Sequence, residues 1–212
     1  LGIDLRLLSG KSLVNYQPKD PFYRKAKKEG YRSRAAYKLL EINRRYKLLK
    51  PGDRVVDLGA APGGWIQVAA ELVGAHGIVI GIDLNPIVPF AEKNVVLLQE
   101  DIGKPETAPK ISALLGGTAN CVISDLAPHL TGIRDADVAR ALALFSHARD
   151  LAVRVLAPGG NFLAKTFLAQ ETNRLVAELK PHFFSISRTR PDATRKGSSE
   201  IYIVAQGFTA LN

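Results

Sequence analysis

The chain has 212 residues, 46% of them hydrophobic and 23% charged, which is a globular composition long enough to bury one sizeable core. A single cysteine, Cys121, excludes a disulfide framework and a cysteine-based zinc site; the four scattered histidines lack ligand spacing, so no metal is expected. The net charge is +9, and no apolar run has the length needed to cross a bilayer, so no membrane partner is expected.

The charge is concentrated at one end. Residues 1–50 hold 14 Lys/Arg against 4 Asp/Glu, whereas the remainder of the chain sums to −1. Tyr16, Phe22, Tyr23, Tyr31, Tyr37 and Tyr46 are interleaved with these cations. A basic lobe on a near-neutral body is the footprint of a polyanion binder, although a solvated basic face would read the same way.

Residues 1–20 read as loosely structured. Ser33 is placed to cap a helix running to about Leu49, which Pro51-Gly52 then stops. Arg54–Leu58 reads as a short buried strand, and a helix from about Trp65 to Val73 follows. Further strands are expected at Gly77–Leu84, Val95–Leu98 and Asn120–Ser124, with a helix over 106–116. Asp135–Leu156 is a long helix, ended by Pro158-Gly159-Gly160. Asn161–Phe167 is a strand, Gln170–Leu179 a helix, and His182–Arg188 and Glu200–Gln206 two final strands. Strands alternating with helices predict a mostly parallel sheet covered on both faces. The last two strands have no helix between them and should form an antiparallel pair.

Ligands on such a sheet bind beyond the carboxyl ends of the strands. Asp57, Asp83, Asp101, Asp125 and Lys165 stand at those ends. The turn Asp57-Leu58-Gly59-Ala60-Ala61-Pro62-Gly63-Gly64-Trp65 lets a ligand approach the backbone closely, yet it is neither G-x-G-x-x-G nor a phosphate loop. Asp83, 26 residues after Asp57, is placed to accept hydrogen bonds from ribose hydroxyls, and Asp101 could accept from an adenine amino group. An acidic pocket without a basic phosphate clamp suits S-adenosylmethionine better than a dinucleotide. Each acid alone could equally be a cap or turn residue.

This turn, with Arg32-Ser33-Arg34-Ala35-Ala36-Tyr37-Lys38-Leu39 ahead of it, closely resembles the FtsJ/RrmJ family of ribose 2′-O-methyltransferases. The resemblance continues at Ser124-Asp125-Leu126-Ala127-Pro128, Leu156–Gly160, Ala164-Lys165-Thr166-Phe167 and Arg195–Tyr202, in family order over residues 20–208. It implies an α/β, Rossmann-like methyltransferase fold: a mostly parallel seven-stranded sheet with helices on both faces and an antiparallel final strand pair. It divides the chain into a basic, partly flexible extension (1–32) and a methyltransferase domain (33–212). The family's Lys-Asp-Lys-Glu tetrad falls on Lys38, Asp125, Lys165 and Glu200. Its S-adenosylmethionine contacts fall on Gly63, Trp65, Asp83, Asp101 and Asp125, and the turn adds Asp57 and Gly59.

Methyl transfer to a ribose hydroxyl needs alignment and a proton acceptor. Lys165 is the expected base, in an apolar setting (Phe162-Leu163-Ala164 and Thr166-Phe167) that asks for a reason to bury a lysine. Burial and a neighbouring Lys38 would favour its neutral amine. Asp125 would hold and orient it, and Glu200 would orient the ribose or balance Lys38. Without the family pattern, Lys38 reads equally as a phosphate contact and Glu200 as a surface acid.

Ribose 2′-hydroxyls mark RNA. Arg24, Lys25, Lys28, Arg32, Arg34, Arg195 and Lys196 are the expected RNA contacts. The resemblance implies a uridine in large-subunit ribosomal RNA, within the large ribosomal subunit, with no obligate protein partner evident. Transfer RNA anticodon loops are the runner-up target, and a non-catalytic RNA-binding member of the fold is the alternative class. His129 departs from the Asn usual after Ala-Pro in the ribosomal branch. A cytoplasmic location is expected, or an organellar one if a transit peptide has been removed ahead of Leu1.

Overall fold

The computed structural model describes residues 20–210. Two helices, α1 (Pro21–Glu29) and α2 (Ala36–Tyr46), precede the alternating body. That body runs β1 (Arg54–Leu58), α3 (Gly64–Val73), β2 (Ile78–Asp83), β3 (Val95–Gln99), α4 (Thr107–Leu115), β4 (Ala119–Ser124) and α5 (Arg134–Val155). It ends with β5 (Leu156–Phe167), α6 (Thr172–Leu179), β6 (Phe183–Thr189) and β7 (Glu200–Phe208).

The seven strands form one sheet in the order β3-β2-β1-β4-β5-β7-β6. β1 pairs in parallel with both β2 and β4, so the chain reverses its direction of travel across the sheet beside β1. The crevice at the carboxyl ends of β1 and β4 is therefore the ligand position of this architecture. β7 is antiparallel to both β5 and β6, as expected of the final pair. This inversion matters for the site, because it brings the first residue of β7, Glu200, to the same sheet edge as the last residue of β5, Phe167.

Central strands are apolar on both faces because both faces are covered. Val56, Leu58, Ile80 and Val122 pack with α4, α5 and α6, while Val55, Val79, Cys121 and Ile123 pack with α2 and α3. Phe162 is fully buried between Phe145, 5.7 Å away in an edge-on contact, and Phe183 at 6.3 Å. Truncating it to alanine should cost about 3–5 kcal/mol.

Local chemistry shifts several of the sequence-based boundaries. α1 forms where no element was expected: Asp20 caps it by accepting from the Phe22 and Tyr23 amides, and Pro21 suits the first turn. The expected loose segment otherwise lies outside the described residues. α2 begins after Ala35 rather than at a Ser33 cap, and it ends at Tyr46 because Lys47 takes the left-handed conformation (φ 55°). Leu48 and Leu49 are buried beyond it, so Pro51-Gly52 is not the stop. Pro158-Gly159-Gly160 does not end α5 either. The helix passes directly into β5, and residues 157–160 loop out between Leu156, paired with Ala119, and Asn161, paired with Cys121. The remaining elements lie within two residues of expectation.

Candidate active site

Two cavities open along the carboxyl edge of the sheet. The first, of about 680 Å³, is bounded by Gly59 and Ala61 of the β1–α3 turn, Asp83 after β2, Asp101 after β3, and Asp125 to His129 after β4. The second, of about 670 Å³, is bounded by Lys38 of α2, Asp125, Lys165 of β5, Phe167 and the loop from Arg195 to Glu200. Asp125, Ala127 and Pro128 border both cavities, so one short segment is the wall between them.

The first cavity is acidic. Asp83 is held by the Ala61 amide at 3.0 Å and by the Asn85 amide at 2.8 Å, which locks the end of β2 to the glycine-rich turn. Asp101 accepts from the Gly103 amide at 2.8 Å. Gly59 needs to be glycine: its φ is 77°, and a Cβ there would stand 2.6 Å from Leu126 Cδ2. Asp57 lies inside β1 behind this wall, fully buried, with neither carboxyl oxygen hydrogen-bonded. Burial raises its carboxyl well above the usual range, and Asp125 and Asp83 add to that. The carboxylates that line this cavity, Asp83, Asp101 and Asp125, suit a ligand carrying hydrogen-bond donors, while Asp57 lies buried behind them.

Not every expected contact borders this cavity. The Trp65 indole N–H donates to Ala35 O at 2.8 Å, and its ring packs 5.9 Å from Tyr202, joining α3 to α2 and β7. Gly63 (φ 109°) faces Phe90 and Arg32 instead. Arg32 donates to Val88 O at 2.5 Å and Pro89 O at 2.8 Å and stacks 3.5 Å over the Phe90 ring. It clips the chain after β2 onto the glycine-rich turn.

The second cavity holds the four expected residues together. Lys165 Nζ donates to the Asp125 carbonyl at 2.6 Å and stands 3.0 Å from Asp125 Oδ1. Lys38 Nζ pairs with Glu200 Oε1 at 2.5 Å. Lys38 thus aims its ammonium at Glu200, whereas the nearest charge to Lys165 is Asp125. A fifth residue, which sequence reasoning missed, joins these two pairs. The Tyr202 hydroxyl lies 2.7 Å from Asp125 Oδ1, 3.0 Å from Glu200 Oε1 and 3.1 Å from Lys38 Nζ. It has one proton, so it donates to one carboxylate at a time while accepting from Lys38. Burial, reinforced by Asp125 and Glu200, raises the phenol far above its ordinary range and keeps that proton on it. Asp125 moves the other way: burial disfavours its charge, but Lys165, Lys38 and the Tyr202 hydroxyl outweigh burial and hold it below the usual carboxylate range. The signal for Tyr202 was its spacing. It stands two residues after Glu200 on one strand, hence on the same face, and a buried tyrosine needs a hydroxyl partner.

The expected RNA contacts divide into two groups. Arg24, Lys25 and Lys28 on α1 are exposed, as are Arg195 and Lys196 beside the second cavity. Arg34 is half-buried, paired with Asp20 and donating to Ala193 O. It binds α1 to the loop that carries Arg195. Arg32, as described, is similarly engaged with the chain itself.

A Rossmann-like sheet with β7 inverted, an acidic cavity at its switch point and a lysine-rich cavity beside it define the α/β methyltransferase class. A crystal structure of an O-methyltransferase from Thermotoga maritima, 16% identical, shares the fold with a TM-score of 0.53 over 81% of this chain and 64% of that one. The FtsJ-like methyltransferase family model matches residues 31–208, and the chain belongs to that family. It is 48% identical to the ribosomal RNA large subunit methyltransferase E of Methanothermobacter thermautotrophicus over 94% of both chains. It is also 48% identical to the protein of that name from Coxiella burnetii, over 92% of this chain and 93% of the other. A ribosomal RNA methyltransferase structure from Plasmodium falciparum is 31% identical, with a TM-score of 0.76 over 84% of this chain and 98% of that one. Among the described residues, no helix is long and apolar enough to cross a membrane and no cluster of metal-ligating side chains occurs.

Proposed function

We propose that the protein methylates a ribose 2′-hydroxyl of large-subunit ribosomal RNA, with Lys165 as general base. The observation that carries this reading is the position of Lys165 Nζ. It sits at the floor of the second cavity, 3.0 Å from a carboxylate whose residue also borders the first. A hydroxyl held there meets a proton acceptor and faces the neighbouring cavity at once.

The first cavity fits S-adenosylmethionine: its lining acids suit a ligand rich in hydrogen-bond donors, and Asp83 and Asp101 stand where ribose and adenine would be held. When bound, that cofactor supplies a methyl group already activated on a sulfonium. The chain's own residues do the rest. Asp125 holds Lys165 through both its carbonyl and its carboxylate, which fixes the direction of the amine. Lys165, in its amine form, takes the proton of the 2′-hydroxyl as the oxygen becomes nucleophilic. Lys38 and Glu200 form the adjoining wall, where they can hold the ribose, and Tyr202, buried behind them, helps Lys38 keep Asp125 ionised. Most of the rate comes from this alignment. Arg24, Lys25, Lys28, Arg195 and Lys196 supply the phosphate contacts, and the cytoplasm is the compartment that suits this substrate.

The large-subunit assignment is supported by the names of the relatives at 46–51% identity. The test uses tritiated S-adenosylmethionine with large ribosomal subunits, free ribosomal RNA and bulk transfer RNA from cells lacking the protein, followed by 2′-O-methyl-sensitive sequencing. Label at one ribose of large-subunit RNA is the expected result. Label confined to transfer RNA would overturn the substrate, and label on a base would overturn the chemistry.

A further inference from the structure

The rim of the second cavity carries side chains that a phosphate-binding surface does not need. Leu130, on the lining of that cavity, is 69% exposed, and Ile133, next to the lining residue Arg134, is 66% exposed. Leu130 and Ile133 flank the two-residue tip Thr131-Gly132 of the segment between β4 and α5, the same segment that forms the wall between the cavities.

That tip is braced. Asp137, in the first turn of α5 and only 8% exposed, accepts from the Thr131 amide and the Thr131 hydroxyl, both at 2.8 Å, and from the Gly132 amide at 3.1 Å. Three hydrogen bonds to one buried carboxylate hold Leu130 and Ile133 out in water rather than letting them fold inward. Exposing two branched aliphatic side chains on a rigid support costs solubility and gives nothing to the core, so a partner is the reason for it. The surroundings identify the partner's chemistry. Arg134 follows Ile133 directly, and the exposed Arg195 lines the same cavity. An apolar tip framed by guanidinium groups fits a nucleobase between its phosphates.

The depth of the site supplies the second half of the argument. The Lys165 side chain is only 7% exposed, at the cavity floor. A 2′-hydroxyl reaches it only if the whole nucleotide enters the cavity, and in folded RNA that nucleotide must first leave its stack. Leaving opens a gap, and aliphatic side chains inserted between base steps are a known way to fill one.

We propose that Leu130 and Ile133 form a wedge that replaces the target nucleotide in the RNA stack while its ribose occupies the second cavity. The proposal rests on the RNA reading above and narrows the substrate to a structured, stacked RNA.

The probe is a stem-loop of large-subunit ribosomal RNA with 2-aminopurine placed in turn at each loop position. Wild-type protein should raise the fluorescence at or beside one position as that base unstacks. The double variant Leu130→Ala/Ile133→Ala should lose most of the rise and about tenfold in kcat/KM on the stem-loop. Its affinity for S-adenosylmethionine and its kcat/KM on an unstructured oligonucleotide of the same loop sequence should be unchanged. Asp137→Asn, which sets an amide donor against the Gly132 N–H, should show the same selective loss. If the unstructured oligonucleotide is not methylated, the fluorescence decides alone. A wild type that raises no position, a double variant with the full rise, or an equal loss on both RNAs would overturn the wedge. A wild type that unstacks a base without methylating it would keep the wedge and remove the methyltransferase reading.

Discussion

The two cavities share a wall and contrast in how they treat negative charge. In the first, Asp57 is buried without a partner and its carboxyl is raised. In the second, Asp125 is also withdrawn from water, but two lysines and a phenol hold its carboxyl low. Both acids sit on central strands or at their ends, a few ångströms of sheet apart. What separates them is where the compensating charge comes from. The second cavity carries its own cations, so its acids are paired before any ligand enters. In the first, Arg140 stands on the lining but donates to His129 O, and among the described residues no ion pair reaches Asp57, Asp83 or Asp101, which leaves room for a ligand that brings positive charge. Charge balance thus distinguishes the proposed cofactor site from the proposed reaction site within one crevice.

The largest break in this division should come from Lys165→Ala. Removing the proton acceptor should lower kcat by roughly 10²–10⁴, while isothermal titration shows S-adenosylmethionine binding as before. Turnover close to wild type would strip Lys165 of its role and with it the distinction between the two cavities. Asp83→Ala is the reciprocal change. It removes the acceptor of the Ala61 and Asn85 amides as well as the ribose contact, so cofactor affinity should fall by about 10–100-fold, as expected for one to two charge-assisted hydrogen bonds. RNA binding should be untouched; equal loss of both affinities would mean that the cavities act as one site.

The same contrast explains what could be read from the chain. The first cavity was largely legible, because strand–turn–helix units bring consecutive strand ends to one edge, and Gly59, Asp83 and Asp101 each follow a strand in order. The second was legible only in part: Asp125 and Lys165 stand at strand ends, but Lys38 and Glu200 were singled out through resemblance. Its members come from α2, β4, β5 and the start of β7, and no local periodicity predicts that an inverted last strand returns Glu200 and Tyr202 to the edge reached by Lys165. Boundaries failed where a local device outvoted the pattern. Lys47 in a left-handed conformation ends α2 early, and a looped-out stretch lets Pro158 sit within the span of β5 rather than stop a helix. Arg32 and Arg34, expected as RNA contacts, show a related limit of the pattern. Nothing in the basic stretch signals that their guanidinium groups also donate to the carbonyls of Val88, Pro89 and Ala193.

That difference sharpens the comparison between exposed and engaged cations. Substituting Arg24, Lys25 and Lys28 together by alanine should make the log–log dependence of RNA affinity on salt shallower by about three, one per lost phosphate contact. Arg32→Ala should leave the slope alone and weaken S-adenosylmethionine binding instead, since it releases the clip between the chain after β2 and the glycine-rich turn. Filter binding across a salt series separates the two, and an Arg32 variant that flattened the slope would return this residue to the RNA surface.

The smallest effect concerns Asp57 and runs against intuition, because a variant of a site residue should be more stable than the wild type. The folded-state carboxyl is raised above its unfolded value of about 3.9. Between those two values the folded protein keeps a proton that the unfolded chain has released, so stability falls as pH rises and levels off beyond the folded value. An asparagine in its place would have nearly the same shape and no titration. The melting temperature of Asp57→Asn relative to wild type should therefore climb with pH from about 4 and reach a plateau. A gain of about 1 kcal/mol would appear as roughly 2–4 °C for a domain of this size. Cofactor affinity should move the opposite way, because the ligand's positive charge is what makes ionising Asp57 worthwhile. A stability difference that stayed flat across pH would mean that the carboxyl is already compensated inside the protein. The first cavity would then be as complete as the second, and the contrast between them would fail.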